Sequence, residues 1–137
     1  MSDAGLAVQR ALYQALSAAL SVPVLDYVPP DQATPYVTIG DITTVEDGTK
    51  TEDGQEHTAN VHVWTQAHRG RKAARDLMSA IYGTLHNSES LQIDDGGSPP
   101  VATWGLVMCR HEYAEVNPDP DGITMHGVTR FRIVTQG

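Results

Sequence analysis

Leu106–Ile133, LVMCRHEYAEVNPDPDGITMHGVTRFRI, decides the fold. Its middle, Asn117-Pro118-Asp119-Pro120-Asp121-Gly122, combines Asx residues, prolines and a glycine, the residue types that reverse a chain. The flanks alternate apolar and polar positions, which is the two-residue period of a strand with one buried face. Folding the stretch on itself with Val116 opposite Ile123 brings Met108 opposite Phe131 and Leu106 opposite Ile133 on the core side. The other side then shows Cys109 facing Arg130 and Tyr113 facing His126. A register that matches apolar with apolar over several pairs is self-consistent, because a one-residue slip turns every side chain over. The last third of the chain therefore reads as an antiparallel hairpin.

Upstream of it, Arg71–Leu85 puts Ala74, Leu77, Met78, Ile81, Tyr82 and Leu85 on one stripe at helical spacing, wide enough to cover a sheet. Asn87–Pro100, rich in Ser, Gly and Asp, reads as loop. Tyr36–Val45, with Val37, Ile39, Thr43 and Val45 on one face, and Ala59–Thr65, through Val61 and Val63, read as strands. Between them, Glu46–Glu56 carries two glycines and no apolar residue. It is expected to be a long hairpin connection, poorly ordered until a partner touches it. Gly5–Leu20, with Val8, Leu12, Ala15, Leu16 and Ala19 at three- and four-residue spacing, is a short amphipathic helix. Val24–Val28, bracketed by Pro23, Pro29, Pro30 and Pro35, is an edge strand or an irregular arm. The order helix, weak strand, two strands, helix, two strands predicts an α+β fold of two layers, a mainly antiparallel sheet with two helices packed on one side. A parallel βαβ sheet would need more helices than this.

The 137 residues fit one domain spanning 1–137. Seventeen Asp and Glu against nine Lys and Arg give a formal charge of -8, the wrong sign for a protein that grips phosphate backbones. The single cysteine, Cys109, cannot close an internal disulfide or build a multi-cysteine metal site. Nothing approaches the roughly 20 apolar residues of a membrane span. Met1-Ser2-Asp3-Ala4-Gly5 lacks the basic and apolar regions of a signal peptide, so a cytoplasm-like compartment is expected and no membrane partner.

Chemistry finds poor material. Cys109 lies mid-strand, where Arg130 across the ladder could lower its pKa, but a small half-buried strand residue is the commoner meaning of such a position. Of the six histidines, His57 and His62 point to opposite faces of one strand, and only His111 and His126 could approach each other, diagonally across the last hairpin. Two ligands leave a metal site incomplete. Asn117, Asp119, Asp121 and Gly122 fit the first, third, fifth and sixth places of a calcium loop, yet the twelfth place is Val128 and two prolines interrupt the run. The glycines form no phosphate-binding motif. No catalytic residue, metal ligand or cofactor is assigned, and the chain is not expected to be an enzyme.

Charge is segregated instead. Arg69, Arg71, Lys72 and Arg75, four of the nine cations, crowd the start of the second helix, where each opposes the macrodipole by roughly 0.3–1 kcal/mol. Six acids lie between Asp41 and Glu56. A basic helix start that meets a neighbour's acidic loop suits a head-to-tail ring. Arg69, Arg71, Lys72 and Arg75, with Glu46, Asp47, Lys50, Glu52, Asp53 and Glu56, are the candidate assembly interface; a merely solvated face is the alternative.

Several short pieces carry a family likeness in their joint order: Tyr27-Val28-Pro29-Pro30, Pro35–Gly40, Thr49–His57, Val61–Trp64, Arg69–Ala73 and Asp119–Arg132. From about Leu6 to Thr135 the chain resembles the tail-completion, or tail-terminator, proteins of long-tailed bacteriophages, prophages and bacterial gene transfer agents. It departs from that pattern in a longer Gln92–Ala102 stretch. The resemblance implies a two-layer α+β subunit assembled in the bacterial cytoplasm as a homohexameric ring at the head-proximal end of the tail tube. Its partners would be its own copies, the tail tube protein and a neck or head-completion protein, with DNA passing through the lumen without specific binding. A neck or head-completion subunit, a small ligand-binding domain or enzyme, and a dimeric cytosolic regulator are the competing readings.

Overall fold

The computed structural model describes residues 3–50 and 52–137. Met1 and Ser2, part of the start considered for a signal sequence, and Thr51, within the acidic connection, lie outside the described residues. In chain order the elements are α1 (Gly5–Ala19), β1 (Val24–Leu25), β2 (Tyr36–Glu46), β3 (Gly54–Gln66), a 3-10 turn (Ala67–Arg69), α2 (Gly70–Leu85), β4 (Ile93–Asp94), β5 (Thr103–Pro118) and β6 (Thr124–Gln136). The strands form one curled sheet in the order β1-β2-β3-β6-β5-β4, parallel only between β1 and β2. The α+β class and the mainly antiparallel sheet are as expected.

Both helices cover one face. α2 lies over β3, β5 and β6, whereas α1 touches β2 and β4, the two flanks that the curl brings together. Strict alternation builds the covered face. His57, Ala59, Val61, Val63 and Thr65 of β3 and Met125, Gly127, Thr129, Phe131, Ile133 and Thr135 of β6 are buried. Against them α1 buries Val8, Leu12 and Leu16, and α2 buries Ala74, Met78, Ile81 and Leu85. Gly127 sits under α2 because a Cβ there would lie 2.7 Å from Met78 Sδ. Tyr82, read as part of the apolar stripe, stands at its margin with 44% exposed, stacked on His86.

The last hairpin exists, but its register differs from the expected one. Val116 pairs with Gly127, and Ile123 belongs to the turn, 74% exposed. The Asp121 carboxylate accepts the N–H groups of Ile123 and Thr124 and the Thr124 hydroxyl, which widens the turn and moves the strands by four residues. An even slip keeps faces, so Val116, Phe131 and Ile133 still point inward. Beyond Tyr113, two irregularities in β5, between His111 and Tyr113 and between Leu106 and Met108, shift the partners again. Met108 meets Val134 rather than Phe131, Leu106 meets Thr135 rather than Ile133, Cys109 meets Ile133 rather than Arg130, and Tyr113 meets Arg130 rather than His126. Cys109 therefore points into the core.

Three further boundaries differ. A bulge between Ile39 and Ile42 reverses the parity of β2, so Thr43 and Val45 leave the face that Val37 and Ile39 share, and Thr44 joins it. The expected loop Asn87–Pro100 contains β4, whose Ile93, with Leu91 just before it, is buried. The connection after β2 shrinks to residues 47–53, since Glu46 and Gln55 are paired strand residues.

Candidate assembly surfaces

The α2 start lacks the features that stabilise a helix N-terminus. No side chain caps it, and its first turn holds no acid. Lys72 pairs with Asp76 at 2.8 Å, four residues on and largely in solvent, so the pair is worth little. Arg69, Arg71 and Arg75 are exposed and form no ion pair among the described residues. Arg75 borders a shallow cleft with Tyr82 and His111.

The acidic segment divides into two groups. Glu46 accepts a bond from Gln55 Nε2 at 2.9 Å, while Gln55 Oε1 takes the Ala4 N–H at 2.9 Å, so Glu46 belongs to the anchor of α1. Glu56 forms an ion pair with Arg132 at 2.9 Å across β3 and β6, and that pairing raises the Arg132 pKa. Asp47, Lys50, Glu52 and Asp53 are exposed in the connection itself. In place of a structureless connection, the described part closes on itself. The Asp47 N–H donates to the Gly54 carbonyl, the Thr49 N–H to the Glu52 carbonyl, and the Glu52 N–H to Thr49 Oγ1. The Asp53 carbonyl accepts the Gly137 N–H. The connection precedes β3 and the basic start follows it, so about 40 Å of strand separates them. One subunit cannot pair its own two surfaces.

The uncovered face of the sheet carries a cluster that sequence reading missed. Tyr36, Trp64, His126 and His62 form a run of stacked rings, with Trp64 and His126 centroids 3.9 Å apart. His62 Nδ1 and His126 Nε2 are hydrogen-bonded at 2.8 Å, one ring nitrogen donating to the other. Burial, and for His62 the neighbouring His126, holds both pKa values below the ordinary histidine range. The alternation of β3 already put His62 and Trp64 on one face; what was lacking was the register that sets β6 beside them. His126 thus meets His62, and His111 faces the other way, against Tyr82 and Phe131. Farther along this face Arg130 donates to Asn60 Oδ1 and lies over the Tyr113 ring at 5.4 Å.

None of these groups forms a nucleophile with its base. Cys109 is 1% exposed, and burial pushes its thiol up to about 12, far from a reactive thiolate. His57 is a core histidine, its ring held by the Thr44 and Thr135 hydroxyls at 3.0 Å each. Among the described residues no three His, Cys, Asp or Glu side chains gather closely enough to hold a metal ion, and no helix is long and apolar enough to cross a membrane.

A curled sheet with helices on one face only thus carries a basic surface at one end of β3 and an acidic one at the other. The chain belongs to the tail completion protein gp17 family, which it matches over residues 7–136; it is a structural tail protein of that family. A chain in the virion of a native gene transfer agent particle has the same fold, with a TM-score of 0.81 over 100% of both chains and 24% sequence identity. No curated protein matches in sequence.

Proposed function

We propose that this protein is a tail terminator: a homohexameric ring that caps the head-proximal end of the tail tube, stops tube growth and offers the surface to which the head joins. Membership in the tail completion family is the observation that carries this reading. The exposed, unpaired cations of the α2 start support it, because a contact between unlike surfaces of identical subunits builds a ring where the rotation between them closes. In this reading Arg69, Arg71, Lys72 and Arg75 lie at a contact between subunits, and Asp47, Lys50, Glu52 and Asp53 reach the adjoining tube ring. Glu46 and Glu56 hold their strands in place. The partners are further copies of the chain, the tail tube protein and a neck or head-completion protein, and DNA passes through the lumen without specific binding. No cofactor takes part.

Capping requires two unlike faces, since a ring that repeated the tube surface would let growth continue. Removing the protein is expected to give overlong or headless tails made of normal tube subunits, and supplying it again to restore defined tails joined to heads. Complementation should survive Cys109→Ser and His111→Ala. Tails of normal length that join heads without the protein would refute the reading, and a Cys109→Ser chain that keeps fold and oligomer yet fails would point to catalysis instead.

A further inference from the structure

We propose that a groove along the exposed side of α1 receives the start of α2 from a second copy of this chain. The proposal rests on the ring reading and assigns its lateral contact. The groove consists of two adjoining clefts of about 640 and 480 Å3 that share Asp3, Leu6, Gln9, Asp26 and Ile39. Its apolar part is Ile39, Trp104 and two α1 side chains left in solvent, Leu6 at 78% and Tyr13 at 46% exposed. Leu6 and Tyr13 thus set apolar surface at the border of the cleft, available to an assembly contact.

The rim selects the occupant. Asp3, Asp26 and Asp41 border the clefts, and the cation there, Arg10, is already tied to Asp94 at 2.9 Å. Asp26 and Asp41 have no ion-pair partner among the described residues. A phosphate-bearing ligand is repelled by such a rim, whereas a basic protein surface with an apolar tip fits it.

The same chain presents that surface elsewhere. Arg69, Arg71 and Arg75 are the unpaired cations of the α2 start, placed where the helix dipole disfavours them. Beside them stands Ile123, whose carbonyl accepts the N–H of Ala67, the first residue of the turn that carries Arg69. The carboxylate nearest to Ile123, Asp121, is occupied within its own turn. Groove and tip belong to different elements, and where each copy gives its tip to one neighbour and its groove to the other the contact is heterologous and builds the ring of the reading above.

Charge exchange tests the pairing. Sedimentation over a concentration series is run on the full chain, on Arg71→Glu/Arg75→Glu, on Asp26→Arg/Asp41→Arg and on the four changes combined. Each reversal alone should weaken self-association by about tenfold or more, and the combination should restore it to within about threefold. Oxidation of Leu6→Cys/Ile123→Cys in a Cys109→Ser background should give ladders of cross-linked copies. A ring whose assembly is indifferent to the Asp26 and Asp41 reversal, or a combination no better than either parent, overturns the groove and leaves the ring standing. A wild-type chain that stays monomeric throughout overturns both. Circular dichroism of every variant separates lost contact from lost fold.

Discussion

His57 shows how one polar side chain is tolerated at the centre of this core. It is fully buried, and its two ring nitrogens are spent on Thr44 and Thr135. Burial holds its pKa below the ordinary 6.5, although Asp3 and Glu46 pull in the other direction. The folded state therefore binds fewer protons than the unfolded chain as pH falls below about 6.5. The stability His57 contributes is present above that pH and is lost as pH drops toward the depressed folded value; His62, His111 and His126, also depressed, act with the same sign. Urea unfolding at pH 7.5 and 5.0 should show a clear loss of stability at the lower pH, and His57→Gln should flatten that dependence. Equal slopes in the two proteins would mean that His57 is not buried neutral.

At the scale of elements, the sheet depends on close approach by α2. Gly127→Val forces a branched side chain into the space of Met78 Sδ and should cost about 1–3 kcal/mol by overpacking. Chemical denaturation would read this as a lower midpoint at unchanged slope. The elements were legible in the sequence because the apolar periods of α1, α2, β3 and β6 are regular. What escaped was local and had a physical cause in each case. Asp121 bonds to its own turn and lengthens it, so the hairpin register moved by four residues. Bulges in β2 and β5 leave no mark in an alternation until the partner strand is known. β4 is two residues long, too short to carry a period. The ring cluster of Tyr36, Trp64, His126 and His62 joins three strands, and only their register brings it together.

The whole molecule carries a formal charge of -8, with four of its nine cations at one helix start. If that start is taken up by a neighbour, an assembled ring is left with an acidic surface, and a duplex passing through it meets repulsion rather than adhesion. Binding to duplex DNA should be weak, salt-sensitive or undetectable. Micromolar affinity at physiological salt would require a basic surface that this account gives to a protein contact.

Family membership makes this chain a tail protein, and its proposed place there is a ring at the head-proximal end. Electron microscopy of assembled tails carrying a tagged copy measures both position and number at once. One hexameric ring is expected at the head-proximal end of every tube. Label along the tube, at the distal tip, or in a stoichiometry other than six copies per tail would contradict it.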